Sequence, residues 1–388
     1  VEDEIIYLDH NATTPVDPRV KEEMLPYLGE EYGNPSSLYR LARGASQAVD
    51  RAREQVAGVL GCKPEEVIFT GCGTEADNLA IKGVGMALRS KGNHIITSEI
   101  EHHAVLKACE WMEKQGFDVT YLGVDEYGRV SPEDVKSALR DETILVSIMH
   151  ANNEVGTIQP LEEIGRLLAD RDVYFHTDAV QTFGKRSYSV DDLGVDLLSL
   201  SAHKIYGPKG VGALYLRRGT KIETLLHGGG HENNRRSGTE NVAGIVGLGK
   251  AAQLSEQYIE EEAGRLKKLR DRLEEGILES IDEVTVNGHK DHRMEHTLSV
   301  CVRFIEGESM LLHLDSKGVA ASSGSACTSG TLDPSHVLLA MGIPAEVAHG
   351  SLRLSLGRSN TREQIDYVVE ILPEIVQRLR DMSPLYKK

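Results

Sequence analysis

The sequence predicts an α/β protein, with a large mainly parallel sheet covered by helices and a smaller domain that mixes strands and helices. Three observations predict it. From His94 to Thr177 short apolar runs alternate with amphipathic stretches, the pattern left by repeated strand–helix–strand units. Polar residues collect just past the strands, as Glu101-His102-His103, Asn152-Asn153-Glu154 and Asp178-Ala179-Val180-Gln181; each group alone suits a cap or turn, but several at one sheet edge suggest a pocket. The chain of 388 residues is also too long for one compact core, so two domains are expected.

Taken in order, Tyr7–Pro15 is a polar segment with a proline stop, and Pro18–Leu28 reads as a short helix. Ser36 opens a longer helix ending near Gly61, with Leu38, Leu41, Ala42, Ala45, Val49, Ala52, Val56 and Leu60 on one face. Val67–Thr70 is a short strand, and Gly71-Cys72-Gly73-Thr74 leads from it into a helix that reaches Leu88. Such a turn gathers backbone N–H groups and the positive end of a helix dipole, which suits a phosphate. It equally suits a plain connector with Thr74 as the N-cap, and it lacks the G-x-G-x-x-G spacing of a dinucleotide site.

The alternation then runs through strands His94–Ser98, Val119–Leu122, Ile144–His150 and Val173–Thr177, with helices Ala104–Gln115, Pro132–Leu139 and Leu161–Leu168 between them. Gly194–Ser201 reads as a strand buried on both faces, and Ser201-Ala-His-Lys-Ile-Tyr-Gly-Pro-Lys-Gly210 follows it. Lys204 therefore falls just past a strand end. A lysine partly desolvated there forms Schiff bases with a carbonyl cofactor, whereas a solvated loop lysine does nothing of the kind.

Val211–Leu216 is a further strand. His227-Gly-Gly-Gly-His231, running on to Asn241, reads as a flexible polar loop; its histidines lack the spacing of a metal site. Glu240–Ser280 is helical and carries the chain into the second domain. There Thr297–Val302 and Ser351–Leu356 read as strands, and Ser309–Leu314 and Thr361–Leu379 as helices. Ala321–Gly330 is a run of small and polar residues that places Cys327 on a mobile, exposed loop.

The balance of 60 acidic against 43 basic residues gives a net charge of −17, which disfavours direct nucleic-acid and anionic-membrane partners. No apolar stretch approaches ~20 residues, and the acidic start is unlike a signal peptide, so a cytoplasmic location is expected. The 5 cysteines are odd in number and contain no C-x-x-C pair. Neither a disulfide framework nor a zinc site is expected.

The stretches Asn11–Pro15, Thr74–Asp77, Glu101-His102, Asn152–Glu154, Asp178–Gln181, the lysine decapeptide, Arg236–Thr239, Ser323–Cys327 and Arg353–Arg358 together resemble the NifS/IscS type of cysteine desulfurase. That is a pyridoxal 5'-phosphate (PLP) enzyme of class V aminotransferase type with the aspartate-aminotransferase fold, fold type I. The resemblance implies that Lys204 holds PLP as a Schiff base, Asp178 pairs with the pyridinium nitrogen, Gln181 bonds the phenolic oxygen, and His102 stacks on the ring and exchanges protons. Gly73, Thr74, Ser201 and His203 would hold the phosphate, and Thr239 would reach the other subunit's cofactor in a homodimer. Asn11, Asn153 and Arg353 would fix the substrate, a guanidinium fork suiting its carboxylate.

By the same resemblance L-cysteine becomes L-alanine, Cys327 keeps the sulfur as a persulfide, and the sulfur passes to an acceptor such as a U-type iron–sulfur scaffold. No metal is implied in the resting enzyme, with Cys327 at most a transient cluster ligand, and Cys72 reads as a small packing residue. A large PLP-binding domain is expected over 16–260, with 1–15 and 261–388 forming the small one. The rivals are a selenocysteine lyase, an aminotransferase, which needs no thiol, and a catalytically silent binding subunit; Lys204, Asp178, His102, Cys327 and Arg353 occurring together argue against the last.

Overall fold

The computed structural model describes residues 5–323 and 334–386. Its strands, in chain order, are β1 (Ile6–Tyr7), β2 (Val67–Thr70), β3 (His94–Ser98), β4 (Asp118–Leu122), β5 (Thr143–Ser147), β6 (Tyr174–Asp178), β7 (Leu197–Ser201), β8 (Gly212–Leu216), β9 (Val284–Asn287), β10 (Thr297–Val302), β11 (Val319–Ala320) and β12 (Ser351–Ser355). Strands β2 to β8 form one sheet in the order β2-β8-β7-β6-β5-β3-β4. Strand β8 runs antiparallel to both β2 and β7, while β7, β6, β5, β3 and β4 pair in parallel. The carboxyl ends of every strand but β8 therefore share one edge of this sheet, where an open α/β fold keeps its ligands.

Aliphatic runs such as Leu197–Ser201 and Gly212–Leu216 are buried along their whole length because helices cover both faces of the sheet. The helix Arg40–Leu60 buries Ala45, Ala48, Val49, Ala52 and Val56. Its small side chains let the helix Val242–Ser280 come close: a Cβ on Gly249 would stand 2.6 Å from Ala52 Cα. Ile245, Leu248 and Ala251 of that long helix join the core under the sheet. Leu266, Leu269, Leu273 and Ile277, further along it, join a second core built on the antiparallel sheet β12-β10-β9 and the helix Arg362–Met382. One continuous helix thus supplies side chains to both cores.

Some local expectations need correction. The helix begins at Arg40, not Ser36, because Asn34 Oδ1 accepts from the Ser36 N–H at 3.0 Å and Tyr39 is extended at its N-cap. Leu38 consequently lies outside the helix, 94% exposed, and Leu41 is also exposed. Thr74 is not the cap of its helix; Cys72 is, and the helix starts at Gly73. The segment after His227 contains a left-handed turn, with φ of 47°, 54° and 62° at Glu232, Asn233 and Asn234.

Gly212, at the start of β8, marks the tightest approach beneath the Gly71–Gly73 turn. A Cβ there would lie 2.6 Å from Leu200 O, 2.7 Å from Cys72 C and 3.0 Å from Gly73 N. Gly212→Ala is expected to destabilise the fold by about 1–3 kcal/mol, the usual cost of overpacking, and to push the start of the helix Gly73–Leu88 outward. Urea unfolding measures the first effect, and weakened phosphate-ester binding the second. Unchanged values for both would mean that the turn gives way freely.

Candidate active site

Lys204 ends the short 3-10 turn Ala202–Lys204 directly after β7. Its Nζ donates to the Ala12 carbonyl at 2.9 Å and also to that of Asn11. The segment holding those carbonyls is laced to the lysine loop: Thr14 donates to His203 O from its backbone at 2.9 Å and its hydroxyl at 3.0 Å, and the same hydroxyl accepts from Tyr206 N. His203 Nδ1 lies 3.1 Å from Thr13 Oγ1. Burial, aided by Lys204, lowers the His203 pKa to about 4.

Asn11 is buried, and its groups are all engaged. Its carbonyl also accepts from Gln181 Nε2 at 3.0 Å. Its side-chain amide donates to Thr297 Oγ1 and to the Asn153 carbonyl, His296 Nε2 donates to its Oδ1 at 2.9 Å, and its own N–H donates to Ser355 Oγ. Residues from both sheets thereby meet at one side chain.

Asp178 stands at the end of β6, buried, with Oδ1 accepting from Val180 N at 2.9 Å. Burial pushes its carboxyl up to about 6, opposed by that hydrogen bond and by Lys204. His102 caps the helix His103–Lys114, its Nδ1 accepting from Ala104 N at 3.1 Å; the neutral ring therefore carries its proton on Nε2. Burial, with Lys204 and His103 nearby, lowers its pKa to about 4. Next to it Glu101 is fully buried, with Oε1 accepting from Ser98 Oγ at 2.6 Å and Met149 N at 2.9 Å. Burial raises its carboxyl to about 8.

Arg353 on β12 is 4% exposed. It donates from Nη1 to the Asn153 carbonyl at 3.0 Å and pairs from Nη2 with Asp9 Oδ1 at 2.8 Å, while its buried Nε has no partner among the described residues. Its backbone exchanges hydrogen bonds with Ser322 in both directions. Beside Asn153, the buried Glu154 carboxylate accepts from Ser335 Oγ. The two flanks of residues 324–333 are thus fastened to Arg353 and to Glu154.

The residues fit the PLP that the resemblance implies. The helix from Gly73 starts without a side-chain cap from Cys72, so its first N–H groups remain available to an anion. Gly73 packs against Ser201 and Val180, where a Cβ would lie 3.5 Å from Ser201 Cβ and 2.8 Å from Val180 Cγ2. Ser201 Oγ and Gln181 Oε1 are both buried without a hydrogen-bond partner among the described residues, so both have capacity left for a ligand placed against Gly73 and Asn11. Thr74 is exposed at the first helical turn, and Thr239 is exposed three residues beyond Arg236, which pairs with Glu75 at 2.8 Å. Cys327 lies outside the described residues.

Sequence reasoning missed Asp9, His296 and the pairs Arg236–Glu75 and Arg53–Glu232. Asp9, Glu75 and Arg236 lay within stretches already singled out, but nothing in those stretches marked which partner each would take. Among the described residues no helix is long and apolar enough to cross a membrane, and no three His, Cys, Asp or Glu side chains group as metal ligands.

Residues 6–368 match the family model described as Aminotransferase class-V. A relative named "Cysteine desulfurase IscS" from Methanosarcina thermophila is 57% identical over 387 residues, covering 100% of this chain and 96% of its own. A solved structure titled "NIFS-LIKE PROTEIN" superposes with a TM-score of 0.91 at 40% identity, covering 97% of this chain and 100% of its own. Another, titled "SspA in complex with cysteine", gives 0.82 at 39% identity over 90% of this chain and 98% of its own.

Glu101 provides a pH test of this electrostatic description. Its carboxyl is raised from 4.5 to about 8 in the folded protein, so the folded state holds an extra proton between those values. The associated stability is present below 4.5 and is lost as pH rises through 8, at about 1.4 kcal/mol per pH unit. Glu101→Gln removes that titration. The stability of the native protein relative to the variant should therefore fall between about pH 5 and pH 8 in urea unfolding; a constant difference would show that Glu101 titrates normally.

Proposed function

Because the chain belongs to the class-V aminotransferase family and to its cysteine desulfurase group, we propose that it is a PLP-dependent enzyme converting L-cysteine to L-alanine and passing the sulfur through Cys327. The observation that carries this reading is the placement of both flanks of the Cys327 segment at Arg353 and Glu154, at the sheet edge shared by Lys204 and Asp178. Cys327 follows the fastened Ser322 by five residues, a reach of at most about 18 Å.

Bound PLP would supply an electron sink at the substrate Cα. Lys204 would hold it covalently, Asp178 would lie against its ring nitrogen, and Gly73, Thr74, Ser201 and His203 would hold its phosphate. Arg353, kept in place by Asp9 and the Asn153 carbonyl, presents a guanidinium to the substrate carboxylate. His102 offers its Nε2 edge, and Lys204 its amine, for proton transfer. Cys327 thiolate attacks the substrate sulfur; the S–S bond forms as the carbon–sulfur bond breaks, and a proton delivered to that carbon completes alanine. The persulfide then yields its outer sulfur to an acceptor such as an iron–sulfur scaffold.

A homodimer is supported by the apolar residues Leu25, Leu28, Tyr32, Leu38 and Tyr39, all exposed within one short stretch. In such a dimer the exposed Thr239 is the residue that the family resemblance assigns to the other subunit's cofactor. Leu28→Glu with Leu38→Glu should shift sedimentation from dimer to monomer; an unchanged dimer would place the interface elsewhere.

Lys204→Ala should abolish alanine formation, since it removes both the covalent anchor and a proton carrier. Cys327→Ser should instead keep PLP absorbance and the spectral response to cysteine, yet lose alanine and persulfide together, because a hydroxyl is a far poorer nucleophile toward sulfur. Paired absorbance and alanine assays decide the matter. Normal turnover in Cys327→Ser would end the sulfur-transfer assignment.

A further inference from the structure

We propose that Glu232 is a positioning residue: through a two-pronged ion pair with Arg53 it fixes the left-handed turn Glu232–Asn234, and with it the placement of Thr239 toward the cofactor site of a second copy of the chain. This rests on the dimeric reading above. Three successive residues with φ of 47°, 54° and 62° occupy the left-handed region; asparagine enters it readily, but Glu232 does not, and its conformation persists only where neighbours over-determine it.

Glu232 supplies that constraint. Its carboxylate, 4% exposed, bonds Arg53 Nη1 at 2.7 Å and Nη2 at 2.8 Å, and accepts from Phe69 N at 2.9 Å. Arg53 in turn donates to the Val67 carbonyl at 2.6 Å and lies over the Phe69 ring, 4.7 Å from its centroid. The turn is therefore pinned to β2, the strand that ends in the Gly71–Gly73 turn. A second tie stands closer to Thr239: Arg236 bonds Glu75 at 2.8 Å and 3.2 Å, and Glu75 accepts from Gly71 N at 2.8 Å. Between the two ties the turn is closed by its own bonds, Thr224 Oγ1 to Asn234 O at 2.9 Å and Gly238 N to His231 Nδ1 at 3.2 Å.

One strand consequently sets two things, the helix start that serves the chain's own site and the threonine offered to its partner. A charged fork is needed for this. An amide in place of the Glu232 carboxylate cannot accept from both guanidinium nitrogens, and it leaves Arg53 without its counter-charge. The strained turn then has no clasp, and Thr239 loses its fixed position although it is itself untouched.

The test is a double-mutant cycle on PLP affinity, read from visible absorbance as PLP is titrated into the full-length protein, with sedimentation and thermal midpoints measured alongside. Thr239→Ala is expected to weaken PLP binding about tenfold, the loss of one hydrogen bond to a charged group. Glu232→Gln should weaken it by a similar factor in a protein that still dimerises, and the double variant should bind no more weakly than Glu232→Gln alone. Losses that multiply, or normal affinity in Glu232→Gln, overturn the clasp while leaving the cross-subunit threonine intact. Normal affinity in Thr239→Ala overturns the cross-subunit role of Thr239 and the clasp with it. Should Glu232→Gln fail to fold, Arg53→Lys replaces it in the same cycle, because lysine keeps the charge without the fork.

Discussion

Lys204 and Gln181 reach the same acceptor, the carbonyl of Asn11, and the position of that carbonyl depends on bonds made by the rest of the residue to Thr297, Ser355, His296 and Asn153. The first two reside on strands of the smaller sheet, and Asn153 follows β5 of the larger one. A segment of polar residues near the chain's beginning thus holds the lysine loop against both cores. Buried amides of this kind are costly unless every donor and acceptor is used. Once all are used, they admit few alternative arrangements, which is what a site built from distant stretches of chain requires.

Burial acts on the site's titratable groups in one consistent direction. Glu101 and Glu154 are raised, His102 and His203 are lowered, and in each the largest cause is desolvation. Neutral forms are favoured on both sides, so the ionic contacts stand out where geometry has prepared them. Arg353 with Asp9 is one, and it survives burial because the guanidinium also bonds a carbonyl. Asp178 is a milder case: one backbone N–H and the nearby lysine offset part of its desolvation. The sheet edge therefore offers a few placed charges within an otherwise neutral wall, the condition under which fixed dipoles and charges act most strongly on a reacting group.

Much of this was legible in the sequence where local pattern and final burial agree. The strands β2, β3 and β10 fall where their apolar runs place them, and Asp178, Ser201, Lys204 and His102 come together because each lies at or just past the carboxyl end of a strand in the same sheet. The reversal of β8 left no mark, since an apolar run reads alike in either direction. Leu38 and Leu41 misled for a different reason: their spacing continues the helix face, but the Asn34 turn and the extended Tyr39 start the helix only at Arg40, which leaves Leu38 outside it and Leu41 exposed in its first turn. Asp9 as partner of Arg353, and Glu232 as partner of Arg53, join residues more than a hundred positions apart. No periodicity records such a pairing, and the left-handed turn that depends on it was read as a flexible loop.

Sulfur transfer asks one atom to serve two places, the substrate at the sheet edge and an acceptor outside it. The flanks of the Cys327 segment are not free to help, because Ser322 is bonded through its backbone to Arg353 and Ser335 caps the helix His336–Ala340 while bonding Glu154. In the proposed reaction the chain between Ser322 and Cys327, five residues, gives the thiol a reach of at most about 18 Å from the nearer anchor. On that reading an acceptor would have to bring its own nucleophile near the two anchors, beside the end of β11 and the start of the helix His336–Ala340. Because Arg353 and the segment's nearer anchor share one backbone hydrogen-bond pair, the proposed substrate binding and sulfur pick-up would share a reference point, and delivery would be left to the partner's approach.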